Sequence, residues 1–189
     1  MEKNIYISAC DKDEGIYHYK LSVDGSVKFC KKYVLDRPMY AVVSNQKLYV
    51  ILRCPFDNDE SGILHFDIAP DGSLENPSEP VSTGGVVACH LFADNDDVYI
   101  VNYLSGNVMK LPDTIDTHTG SGPAKVRQDM PHTHFVGETP DKKYICVTDL
   151  GLDRIFFYDR GLNQKFSVEV EKSFGARHLA FSADGKYMY

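Results

Sequence analysis

The sequence predicts an all-β fold of four-stranded antiparallel blades, the repeating unit of a β-propeller. Three observations carry that prediction. One grammar recurs along the chain: an apolar run holding a tyrosine, then a polar or glycine-containing corner, then a second apolar run. The marker residues Tyr6, Tyr49, Tyr99, Tyr144 and Tyr187 stand 43, 50, 45 and 43 residues apart, a period that belongs to stacked supersecondary units. Tyr, Val, Ile and Phe alternate between Asp-Gly and Pro-Asp turns, and no stretch repeats its apolar residues with helical spacing.

The units follow in order. The first, NIYISACDKDEGIYHYKLSVDGSVKF, begins at what is the second strand of later copies, so its innermost strand is missing. The second is KLYVILRCPFDNDESGILHFDIAPDGSL and the third is DVYIVNYLSGNVMKL. The fourth is the fullest. Its strand A is THFVGE, its A–B turn TPDKK, its strand B YICVTD, its strand C RIFFYD, and its strand D, reached through RGLNQ, is KFSVEV. KYMY begins a fifth unit. The repeats fall at about 1–35, 36–83, 84–130 and 131–173, with the next blade starting at 174–189, all within one domain. A chain that stops inside a strand B is expected to be part of a longer one.

Composition narrows the function. Of 189 residues, 43% are hydrophobic and 25% charged, ordinary values for a globular chain. A net charge of −7 without a Lys/Arg block argues against nucleic acid as a partner. No apolar run approaches the ~20 residues of a membrane-spanning helix, and MEKNIYISACDKDEG lacks the apolar centre of a signal peptide. The five cysteines never fall in CxxC spacing. A reducing, cytoplasmic setting without disulfides is the expectation, with Cys89 and Cys146 as small core residues.

Blade topology sorts the polar residues by face. Successive strands run antiparallel, so D–A and B–C connections emerge at one end and A–B and C–D turns at the other. His132-Thr133-His134 and Ala176-Arg177-His178 lie at D–A junctions, and DLGLDR and NYLSG are B–C corners. All four share one end of the scaffold, which makes it the candidate site. The opposite end receives TPDKK, SADGK, SVDGS and APDGS, which are plain turns. His132 and His134, two apart on a strand, point to the same side. Arg177 holds the equivalent place in the next blade, where a His and an Arg together clamp a phosphate or carboxylate. His178 follows Arg177, points the other way and packs or braces. Asp149 and Arg154 are placed to form an ion pair that fixes the corner. Asn102 and Tyr103 either cap a turn or line the channel. His90 stands where strand A of its blade faces the channel, and His18, His65 and His118 belong to no constellation.

The motifs H-x-H-x(5)-PD at His132 to Asp141, DLG-x-DR at Asp149 to Arg154 and ARHLAFSADGKYMY at Ala176 to Tyr189 resemble the lactonase-type seven-bladed propellers. That family includes the 6-phosphogluconolactonases and the carboxymuconate lactonising enzymes. NYLSGNV at Asn102 to Val108 is similar to its blade corner. The family's usual G-P-R-H stands here as Gly175-Ala176-Arg177-His178. Seven blades of about 45 residues need roughly 315 residues, so this chain holds about four of an expected seven. The family's carboxylate, in a V-x-N-E run, would fall beyond Tyr189.

The resemblance implies a hydrolase without cofactor or metal that opens an anionic sugar lactone, most simply 6-phosphogluconolactone. His134 and Arg177 would be its catalytic residues, and His132, Asn102, Asp149, Arg154 and His178 its substrate-binding residues. A muconate cycloisomerase would use the same cations. A non-catalytic binding propeller is disfavoured because the chain has no Trp and gathers its polar groups on one face. A zinc site from the two histidines and Asp149 is the other alternative. Blades wedged for a seven-fold ring favour an open arc over four-fold closure, and its uncovered blade faces are expected to self-associate.

Overall fold

The computed structural model describes residues 2–189. Among them are sixteen β-strands and no helix. Blade 1 is a three-stranded sheet of β1 (Lys3–Ala9), β2 (Gly15–Leu21) and β3 (Val27–Val34). Blade 2 orders β4 (Pro38–Ser44), β5 (Lys47–Leu52) and β6 (Gly62–Ile68), with its outer strand split into β7 (Leu74–Glu75) and β8 (Val81–Ser82), both paired to β6. Blade 3 is β9 (Ala88–Asp94), β10 (Asp97–Asn102), β11 (Asn107–Lys110) and β12 (Thr114–Thr117). Blade 4 is β13 (Thr133–Glu138), β14 (Ile145–Asp149), β15 (Arg154–Tyr158) and β16 (Gln164–Glu169). All pairings are antiparallel, and blade 1 begins at the strand-B position.

The core lies between blades. Ile16 packs on Leu48 and Val50 between blades 1 and 2; Tyr49 and Ile51 pack on Val98 and Ile100 between blades 2 and 3; Tyr99 and Val101 pack on Ile145 and Val147 between blades 3 and 4. Each B strand of blades 2 to 4 is therefore covered on both faces. This is why its sequence is a continuous apolar run rather than an alternating one. Cys146, Ile155 and Phe157 pack against Leu179 and Phe181 of the C-terminal segment. None of the four core clusters joins that segment back to blade 1, and the arc is open.

The register corrects two of the five markers. The B–C corner residues Ala9, Leu52, Asn102 and Asp149 are equivalent, since each ends strand B opposite the start of strand C. Tyr6, Tyr49 and Tyr99 each lie three residues before the corner, but in blade 4 that place belongs to Cys146. Tyr144 precedes β14 and Tyr187 lies outside any strand. Residues Ala180 to Tyr189 form an A–B hairpin held by backbone bonds between Ala180 and Tyr189 and between Ser182 and Tyr187.

The tyrosine itself ties blades together. Tyr6 Oη donates to Gly72 O and Tyr99 Oη to Arg160 O, both at 2.7 Å and both across to the next blade's C–D turn. Burial, chiefly, pushes both phenols up to about 12. Tyr99→Phe keeps the ring and removes only the hydroxyl. It should lower stability by about 1 kcal/mol in urea unfolding; wild-type stability would deny the hydroxyl this role.

Candidate functional site

Strand A begins with a β-bulge in three blades: the pairing skips Met39, Cys89 and His134. A bulge bends the strand and re-aims the extra side chain. By sequence register, Arg177 is the next member of this column. The residues that follow, Tyr40, His90, Phe135 and His178, form a run of rings at the inner rim, with centroids 4.5 Å (Tyr40–His90), 4.7 Å (His90–Phe135) and 5.9 Å (Phe135–His178) apart.

The bulge also separates the two histidines expected to act side by side. His132 is buried, stacks on Tyr103 at 4.4 Å and bonds through Nδ1 to Tyr103 O at 3.0 Å. His134 is half-buried, meets Tyr103 edge-on at 6.1 Å and His178 at 5.1 Å, and has no hydrogen-bond partner for its buried Nδ1. Burial, followed by the positive charge of Arg177 and then His178, holds the His134 ring below the ordinary imidazole range. It is the neutral form at pH 7, with a free ring nitrogen. His90 is buried more deeply and lowered to about 4, chiefly by burial and then by His178 and His134. His178 is exposed on its blade and contacts His90 and His134 with its ring, which gives it a bracing position.

Asp149 is fully buried. Its Oδ1 accepts from the backbone N–H of His132 (2.8 Å), Gly151 (2.9 Å) and Leu152 (3.2 Å), and its Oδ2 from His118 Nδ1 at 2.6 Å. The corner ion pair expected between Asp149 and Arg154 is not formed. Arg154 turns outward to Glu169 and Ser167, because β16 lies beside it while Asp149 faces the incoming D–A loop. With Asp149 committed to four donors and His132 to Tyr103, the zinc alternative loses its ligands. Among the described residues no group of three His, Cys, Asp or Glu has metal-holding geometry. Asn102, the equivalent corner residue, is likewise buried. It donates to Thr83 O (2.8 Å) and Asn107 Oδ1 (2.7 Å) and accepts from the Thr83 hydroxyl (2.7 Å). Both corner residues are anchors without an open face for a ligand.

Sequence reasoning missed the connection between β12 and β13. His118, assigned to no constellation, is buried between Asp149 and Tyr158, with Nε2 2.7 Å from the Tyr158 hydroxyl, which in turn donates to Asp116 Oδ2 at 2.8 Å. Gln128 is buried, and its side chain closes the loop from Ala124 and bonds Leu150 O and Asp153 Oδ1. Asp153, in the left-handed region at φ 51°, also accepts from the N–H groups of Ser173 (2.6 Å) and Gly175 (2.8 Å). Gly151 is required, since a Cβ there would overlap the Met130 carbonyl. The D-L-G-x-D corner thus holds two crossing segments. Between them opens a cleft of roughly 420 Å³, lined by Lys125, Arg127, Gln128, Leu150, Phe174 and Arg177. The available signal was a pair of cations two residues apart in a connection on the site face.

Comparison with known proteins follows the same architecture. The sequence model of the family described as "Lactonase, 7-bladed beta-propeller" matches residues 4–189. An uncharacterized protein of Staphylococcus epidermidis is 30% identical over 93% of this chain and 56% of its own length. Solved structures of candidate 6-phosphogluconolactonases from Bacteroides uniformis and Bacteroides fragilis are each 26% identical and superpose with TM-scores of 0.86 and 0.84. Each is covered over 60% of its length and covers all of this chain. The chain therefore spans a little over half the length of these relatives.

Proposed function

This chain belongs to the seven-bladed β-propeller lactonase family, and from that premise we propose that it contributes part of the site of an enzyme hydrolysing an anionic sugar lactone, 6-phosphogluconolactone to 6-phosphogluconate. The observation that carries the reading is the place of His134: a neutral imidazole with an unpartnered buried nitrogen, under the influence of the Arg177 guanidinium on the next blade. The names of the two Bacteroides proteins support the substrate class.

Lactone hydrolysis needs water delivered to the ring carbonyl, stabilisation of the oxyanion that forms, and a proton for the ring oxygen as the C–O bond breaks. In this reading Arg177 stabilises the oxyanion or binds the anionic group, and His134 binds substrate or moves a proton. The family resemblance assigns activation of water to a glutamate of the V-x-N-E run past Tyr189. The test is to assay the 189-residue chain beside one extended through the family's remaining blades. The extended protein should hydrolyse 6-phosphogluconolactone and the shorter one should not. Comparable turnover from both would place the base before Tyr189, and none from either would end the lactonase reading.

A further inference from the structure

The cleft beside Arg177 has a wall that the lactonase reading does not use. Its residues lie in the connection between β12 and β13, where no strand pairing dictates the conformation, yet the loop is firmly held. Ala124 N–H donates to Gln128 Oε1 at 2.9 Å, Gln128 N–H to Ala124 O at 2.8 Å, and Gly122 N–H to Gln128 O at 2.8 Å. The Gln128 amide then fastens the loop to Leu150 O at 2.8 Å and Asp153 Oδ1 at 2.6 Å. The side chains that this buried residue leaves outward are Lys125 and Arg127, both exposed and both lining the cleft.

The charge there opposes that of the whole protein. The chain carries 27 acidic and 20 basic residues, yet no carboxylate lines the cleft. Lys125, Arg127 and Arg177 have none within ion-pair distance among the described residues. The loop's own acid, Asp129, lies 3.8 Å from His132 Nε2 instead. Two guanidinium forks and an ammonium exceed what one carboxylate accepts. They match a phosphate monoester, with its three terminal oxygens and near-double charge.

We propose that the cleft between the Ala124–Gln128 loop and the Ser173–Arg177 segment is a phosphate subsite, in which Lys125 and Arg127 select a phosphorylated over an unphosphorylated sugar. The identity of the sugar rests on the lactonase reading. Arg177 is the shared residue: it lines the cleft and influences His134, so a phosphate held here leaves the rest of the ligand directed toward the inner rim.

The experiment is calorimetric titration of the 189-residue chain with 6-phosphogluconate and with gluconate, repeated for K125A/R127A. Removing two charge-assisted contacts should cost about tenfold or more in affinity for the phosphorylated ligand and leave gluconate unaffected. Wild-type preference for 6-phosphogluconate should also weaken as salt is raised. Equal affinity of the wild-type chain for the two ligands, or a preference undiminished in the double variant, would overturn the assignment. The lactonase reading fails by a different result: no opening of either the phosphorylated or the plain lactone by the extended protein, while the phosphate preference in binding persists.

Discussion

Arg177→Ala is expected to lower kcat/KM for 6-phosphogluconolactone about 100-fold in the protein extended through the family's remaining blades, from loss of a charge-assisted contact to the oxyanion or to the phosphate. The pH profile should move with it. His134 is lowered first by burial and next by Arg177, and its neutral ring is the active form in this reading. Activity should therefore hold down to a pH below the ordinary imidazole range, then fall as the ring is protonated. Removing Arg177 removes a lowering influence, so the acid limb of the variant should shift to higher pH. A steady-state profile of both proteins checks this. A drop in rate with an unmoved acid limb would separate the two residues. His134→Ala should abolish the limb; its survival would assign it to another group.

Asp149→Ala should be the most destabilising substitution among the described residues, costing about 3–5 kcal/mol by taking the shared acceptor away from four buried donors. The carboxylate has no exposed surface and serves His118 and three backbone N–H groups from the corner and the incoming loop. Without it those donors stay buried and unpaired. The urea midpoint should fall steeply, and the cleft should lose order because His132 and the loop to β13 lose their fixed point. Asp149→Asn keeps an acceptor and should cost less. An unchanged midpoint for Asp149→Ala would mean that the corner is held by its strands alone. The same contacts explain why DLGLDR is not a plain Asn-Gly turn: its two aspartates receive N–H groups from segments that cross it on either side.

The sequence by itself determined the architecture. Blade grammar is local: apolar runs sandwiched between neighbours, turns with their own residue chemistry, and a period that brings equivalent residues to equivalent places. The blade 4 strands THFVGE and RIFFYD could be read before any contact was known, and so could the sharing of one end by His134, Arg177 and both B–C corners. The marker tyrosine was legible as a repeat, though not the substitution of Cys146 for it in blade 4, because a two-residue shift preserves the face and the alternation.

Only the tertiary structure decided which polar residues are spent on the scaffold and which remain free. His132, Asn102 and Asp149 look like site residues in sequence, and burial commits them to Tyr103, Thr83 and His118. His118 and Gln128 look like loop residues, and burial makes them the pins of the D–A connection. Arg154 faces away because strand order places Glu169 beside it. The strand-A bulge sends His134 one way and His132 another. A sequence specifies donors and acceptors, but their partners lie 17 to 31 residues away across a corner, and no local pattern records which of several such groups the folded chain will bring within hydrogen-bond reach.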